Sequence, residues 1–206
     1  MVKVKICGIT NLEDALFSYF SGADALGFVF YRKSPRYINP LKASNIARIL
    51  ARKIALVGVF VDEKPSIVKK TAKLCNLDML QFHGHESRDY CRKFRGYKII
   101  KAFRIKDKND LDCVAEYRTY AYLFDSFSTA QLGGTGNKFN WKILTQLGKM
   151  KSVIFLSGGL TCANVSKAIK LLKPNWVDVS SSLELSSGKK DHKKIQQFIQ
   201  QSKNII

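Results

Sequence analysis

Acidic residues are scarce in this chain. Sixteen Asp and Glu stand against 35 Lys and Arg, a formal charge of +19 over 206 residues. Such an excess can mark a nucleic-acid binder, because clustered cations neutralise phosphates. Here the lysines are dispersed, with no basic arm and no block of five. They fall where helices are expected to face water, as in Lys69, Lys70 and Lys73, or Lys189, Lys190, Lys193 and Lys194. A solvated surface is the better account, one that still draws anionic small molecules from a distance. No apolar run approaches the roughly 20 residues of a membrane span, and the N-terminus enters a strand without a signal-like lead. A soluble, cytoplasmic protein is expected. Cysteines number five (Cys7, Cys75, Cys91, Cys113, Cys162), without a CxxC pair or a histidine at ligand spacing. That excludes a disulfide framework and a zinc site, and fits reduced thiols. No GxGxxG follows the first strand, which argues against an open dinucleotide-binding sheet.

What is present is alternation. Short apolar strands are expected at Val2–Ile9, Ala25–Phe30, Ala55–Val61, Met79–His83, Lys98–Arg104, Ala121–Asp125, Val153–Ser157 and Trp176–Ser180. Between them run helical patterns at Leu12–Phe20, Leu41–Ala51, Ser66–Leu74, Glu86–Phe94, Lys108–Glu116, Trp141–Leu147, Ala163–Leu172 and Lys193–Gln201. Apolar residues recur there at three- and four-residue spacing, as at Ile46, Ile49 and Leu50. Pro40 and Pro65 suit first turns, and Asn11 and Asp107 suit N-caps. Eight strand–helix units without a linker predict one α/β domain over residues 1–206, a compact closed (β/α)8 TIM barrel.

Period-two alternation assigns faces. Lys5 and Cys7 share the inward face of the first strand, Gln81 and His83 that of the fourth, Leu123 and Asp125 that of the sixth, and Asp178 and Ser180 that of the eighth. Polar side chains thus converge on the C-terminal mouth, where barrel active sites lie. Cys7, in Lys5-Ile6-Cys7-Gly8-Ile9-Thr10, is either a small buried hydrophobe or a base at a strand end, with Lys5 placed to favour its thiolate. Asp125, among apolar neighbours, must be paired, solvated or protonated. Partial burial beside Phe124 and Phe127 would suit a general acid. Ser157-Gly158-Gly159-Leu160 and Val179-Ser180-Ser181-Ser182 follow strands seven and eight, where this fold holds phosphate on backbone N–H groups. Arg36 is a turn charge or a fork for a carboxylate. His83 orients substrate or fills the mouth, and the loop around Gly133-Gly134-Thr135-Gly136 is a plain connection or a lid beside Asp125. His85 and His192 have no evident partner.

KICGIT at Lys5, GADALGFVF at Gly22, SPRYI at Ser34, VGVFVDE at Val57, LQFHG at Leu80, GGTG at Gly133, LSGGL at Leu156 and VDVSS at Val177 together resemble the phosphoribosylanthranilate isomerase family of tryptophan biosynthesis, over nearly the whole chain. The resemblance implies a cofactor-free and metal-free Amadori rearrangement of N-(5'-phosphoribosyl)anthranilate. Cys7 matches the family's general base and Asp125 its general acid. Arg36 matches the residue that holds the anthranilate carboxylate, with His83 and Asp178 as further substrate-binding residues, and Gly158, Gly159, Ser180 and Ser181 match the phosphate site. The implied partner is that small molecule, with no nucleic acid and no membrane, in a monomer or homodimer. A related barrel such as indole-glycerol-phosphate synthase uses lysine and carboxylate sets, which the Cys7 and Asp125 pair argues against. One position departs: the family commonly has a glycine after the strand-eight serine pair, and this chain has Ser182, whose side chain either crowds the phosphate loop or adds a hydroxyl donor.

Overall fold

The computed structural model describes residues 1–105, 114–126 and 152–204. Eight parallel strands close into a barrel in chain order: β1 (Lys3–Cys7), β2 (Ala25–Val29), β3 (Ala55–Phe60), β4 (Met79–Phe82), β5 (Lys98–Ile105), β6 (Ala121–Ser126), β7 (Val153–Leu156) and β8 (Trp176–Val179). Closure is made by β8 pairing with β1, with Lys5 opposite Asp178. The helices α1 (Leu12–Phe20), α2 (Pro40–Leu50), α3 (Pro65–Leu74), α4 (Arg88–Arg92), α5 (Val165–Leu172) and α6 (His192–Lys203) follow β1, β2, β3, β4, β7 and β8. The expected helix at 141–147, the loop at 131–136, Asp107, Cys113 and Phe127 lie outside the described residues. Of the helix expected at 108–116, the described part is a 3-10 turn, Val114–Glu116.

Strand alternation sorts the apolar residues into two layers. Ala25, Val57, Met79, Ile100, Ala102, Ala121, Leu123, Phe155 and Trp176 fill the barrel interior. Phe155 and Trp176 stack there with ring centroids 4.8 Å apart. Their strand neighbours, such as Ile6, Phe28, Phe60, Phe82 and Val177, face outward onto the helices. Asn11 caps α1 by accepting from the Asp14 N–H at 2.8 Å, and Pro40 and Pro65 open α2 and α3.

Two differences from the sequence expectation have clear causes. The fourth helix starts at Arg88 rather than Glu86. The Glu86 carboxylate is buried and accepts from the Asp62 and Gly84 N–H groups and from Lys101 Nζ, which takes its residue out of the helix. After β8 the chain makes a 3-10 turn, Ser181–Leu183, and then an antiparallel hairpin, β9 (Glu184–Ser186) and β10 (Lys189–Lys190), before α6. Lys190, expected to face water, is therefore in a strand and 1% exposed. Its ammonium is satisfied by Glu184 and by the Ser180 carbonyl, which is what permits the burial.

Candidate active site

Cys7 ends β1 with its thiol against the backbone of β2. A Cβ on Gly27 would lie 2.7 Å from Cys7 Sγ and 3.2 Å from Lys5 Cε, so only glycine leaves room for both side chains. Lys5 is fully buried and donates to Asp178 Oδ1 at 2.6 Å. Burial alone would lower the Lys5 pKa, but Asp178 and the Cys7 sulfur outweigh it and raise it, so the ammonium is retained. Cys7 behaves differently from the sequence expectation. Burial pushes its thiol up and Asp178 adds to this. Lys5 and Lys190 pull in the other direction but do not win, so the resting group is a thiol. Lys5 does not make a resting thiolate because burial of the thiol, with Asp178 adding to it, outweighs the lysine.

Across the mouth, Asp125 ends β6 with a side chain 29% exposed. Of the alternatives open to it, the structure shows pairing. Its Oδ2 lies 3.2 Å from His83 Nε2, and His83 Nδ1 lies 2.9 Å from Gln81 Nε2. His83 thus bridges Gln81 and Asp125 through its two ring nitrogens. Gln81, in β4, and His83, just past its end, do turn to the same side.

Arg36 is not a loose turn charge. It donates through Nε and Nη2 to Glu184 Oε1 and Oε2 at 2.8 and 2.7 Å, a bidentate pair. Lys190 Nζ adds a 2.9 Å bond to Glu184 Oε1. Burial would raise the Glu184 carboxyl, but Arg36 and Lys190 outweigh it and hold it below the usual range. The fork on Glu184 uses one edge of the guanidinium and leaves the Nη1–Nη2 edge for a second carboxylate. Gly8, with φ +78°, lets Arg36 approach: a Cβ there would lie 2.8 Å from Arg36 Cδ and 2.9 Å from Ser180 Oγ.

The loops after β7 and β8 lie side by side. Gly158 and Gly159 have φ of +78° and +64°, turning the chain at the end of β7. Asn164 fixes this turn by accepting from the Thr161 N–H at 2.8 Å and donating to the Gly159 carbonyl at 2.9 Å. Among the described residues no backbone hydrogen bond engages the N–H groups of Gly158, Gly159, Ser181 or Ser182, which leaves them able to meet an anion. The Ser180 carbonyl and hydroxyl both accept from Lys190 Nζ. Asp178, read from sequence as substrate-binding, has its oxygens engaged by Lys5 and by Ser157 Oγ. Among the described residues no cluster of His, Cys, Asp and Glu is arranged to hold a metal ion.

Sequence reasoning missed Glu184 and Lys190, both in the hairpin. The available signal was Ser186-Ser187-Gly188 between two short runs, a hairpin pattern, with an acid where acids are scarce. His85 and His192 do have partners. His85 pairs with Asp62 at 3.2 Å on the surface, and His192 meets Asp14 at 2.9 Å while stacking on Phe17.

A thiol, a carboxylate, an arginine fork and two anion-ready loops thus share one barrel mouth. The profile of N-(5'phosphoribosyl)anthranilate (PRA) isomerase matches residues 4–201. The chain belongs to the phosphoribosylanthranilate isomerase family. It is accordingly an enzyme of tryptophan biosynthesis. A phosphoribosylanthranilate isomerase from Trichlorobacter lovleyi is 46% identical over 206 residues, covering all of both chains. The crystal structure of the Thermotoga maritima phosphoribosylanthranilate isomerase superposes with a TM-score of 0.93 at 44% identity, covering 98% of this chain and 99% of that one. The same T. maritima enzyme is described as dimeric, with monomers generated from it. A phosphoribosylanthranilate isomerase in complex with reduced 1-(o-carboxyphenylamino)-1-deoxyribulose 5-phosphate is 43% identical with a TM-score of 0.90, covering 98% of this chain and 99% of that one.

Proposed function

We propose that this phosphoribosylanthranilate isomerase works with Cys7 as general base and Asp125 as general acid on N-(5'-phosphoribosyl)anthranilate, in one barrel domain spanning 1–206. The observation that carries the reading is the placement of these two groups on inward-facing strand ends, with Arg36 and the loops after β7 and β8 available for the two anionic ends of the substrate. Those are the anthranilate carboxylate, on the free edge of Arg36, and the phosphate, on the Gly158, Gly159, Ser180 and Ser181 loops.

Protons then balance as follows. One proton first passes from the Cys7 thiol to the Asp125 carboxylate, and the carboxyl so formed gives it to the ring oxygen. The C1–O bond breaks, and the anilino nitrogen lone pair forms a cationic Schiff base. That cation acidifies the C2 proton, which the Cys7 thiolate removes, and the C2–H electron pair neutralises the nitrogen as an enolamine. A proton moving from the C2 hydroxyl to C1 yields the ketone. Asp125 ends as carboxylate and Cys7 as thiol, the forms from which the cycle began. His83 stabilises the carboxylate that Asp125 leaves behind. Since Cys7 rests as a thiol, its ionised form at this step draws on two cations, Lys5 and the Schiff base itself. Asp178 contributes to binding by fixing Lys5 and Ser157. The chain needs no further partner for this chemistry, and we read it as a cytoplasmic monomer or homodimer. Among the described residues no helix is long and apolar enough to cross a membrane.

The test is the loss of anthranilate-type fluorescence when purified protein meets freshly generated phosphoribosylanthranilate. Cys7→Ala and Asp125→Asn should each lower kcat by about 10²–10⁴-fold, the usual contribution of a positioned acid or base, with folding intact. Near-normal turnover in either variant removes that residue's role.

A further inference from the structure

The residue that departs from the family pattern is the one that joins the two phosphate loops. Ser182 Oγ donates to the Leu160 carbonyl at 2.5 Å, a bond between the turn after β8 and the turn after β7. A serine hydroxyl has one proton to give. Given to Leu160, it is not on offer to a phosphate, so Ser182 is not an added anion donor. Nor does its side chain crowd the turn, since it is held by this bond.

We propose that Ser182 is a positioning residue that braces the phosphate cradle, fixing the strand-seven glycines relative to the strand-eight serines before ligand arrives. The inference rests on the phosphate reading given above. The carbonyls of Gly159 and Leu160 follow the Gly158–Gly159 amides in the chain. The first is taken by Asn164 Nδ2 and the second by Ser182 Oγ. Both carbonyl dipoles are thereby satisfied by donors in the protein, and neither needs to turn toward an incoming anion. Leu160 itself is 2% exposed, so its carbonyl gains a partner where water has little access. The Asn164 contacts hold the strand-seven turn to α5, within one segment of chain. The Ser182 contact joins the turn that carries the Gly158–Gly159 amides directly to the turn that carries the Ser181–Ser182 amides. Preorganisation of this kind lowers the ordering cost of binding without adding a contact to the ligand.

The experiment is a titration of the full-length, isotope-labelled protein with inorganic phosphate, following the backbone amides of 158–160 and 180–182. Ser182→Ala should bind phosphate roughly 3–10-fold more weakly, since one hydroxyl bond and the order it imposes are lost. Ser182→Thr, which keeps the hydroxyl, should bind like wild type. With substrate, KM of Ser182→Ala should rise by a similar factor while kcat stays within about twofold. Equal phosphate affinity in wild type and Ser182→Ala, or equal weakness in the Thr and Ala variants, overturns the brace. Phosphate that shifts none of these amides in the wild-type protein removes the phosphate reading itself, and the brace with it.

Discussion

The two reacting groups sit in opposite corners of one mouth, and the corners are built differently. Around Cys7 the corner is dry: Lys5 is fully buried, the Asp178 side chain is 6% exposed and Cys7 8%. Around Asp125 it is wet, with the His83 and Asp125 side chains 20% and 29% exposed. In the dry corner each charge must have a partner, and a third ionisable group is kept neutral when one cation is already matched to one anion. The thiol is that third group. In the wet corner the Asp125 side chain is shared between His83 and solvent. The dry corner therefore stores a base that the reaction must call up, and the wet corner presents an acid open to substrate.

The largest disturbance of this contrast should come from Asp178→Asn. Lys5 then keeps a buried charge without its anion, which typically costs about 3–5 kcal/mol. For a chain of this size that is a fall in Tm of roughly 10 °C. The same change frees Lys5 to act on Cys7, so the midpoint of Cys7 alkylation against pH should move down, toward neutral. In the unaltered, ligand-free protein Cys7 should alkylate more slowly than free cysteine near neutral pH and speed up only in alkali, as its raised pKa requires. An unmoved midpoint in Asp178→Asn would show that Asp178 is not what withholds Lys5 from the thiol.

Glu184 tests the comparison in a second place, because it is a nearly buried anion shared by Arg36 and Lys190. Glu184→Gln should raise KM about tenfold, in line with the roughly 1.5–3 kcal/mol of a hydrogen bond to a charged group, while kcat stays within about twofold. A fall in kcat with KM unchanged would mean that Glu184 does not orient the fork. Its pH signature has a definite sign. The folded pKa lies below the unfolded value of about 4.3, so the stability Glu184 confers is present above that value and is lost as pH falls through the lower, folded one. Acid unfolding of Glu184→Gln should therefore lack part of the wild-type slope below about pH 4.

These residues also mark how far the sequence could be read. Strand alternation placed Cys7, Asp125, His83 and Asp178 on the inward face, because a period of two is local and survives without any contact information. Arg36 was legible as a fork, but its present partner, 148 residues away, was not. Lys190 was misread as a surface lysine because charge alone does not reveal a buried partner. That partner, Glu184, comes within reach only through a short hairpin whose strands are too brief for periodicity. Lys5 was correctly placed and wrongly weighted. The balance between Asp178 and Cys7 for one ammonium is decided by tenths of an ångström and by burial, neither of which a string of residues carries.

The smallest expected effect lies in the wet corner. His83 Nε2 lies 3.2 Å from Asp125 Oδ2 with both side chains partly in water. A hydrogen bond so placed is worth about 0.5–1.5 kcal/mol. His83→Ala should accordingly lower kcat only about 2–10-fold, because solvent can replace the donor that supports the carboxylate after its proton has left. His83→Gln, whose amide can donate from a similar position, should recover part of that loss. A drop as large as that of Asp125→Asn would instead make His83 a proton carrier in its own right, and the acid of this mouth would then be the pair rather than the carboxylate alone.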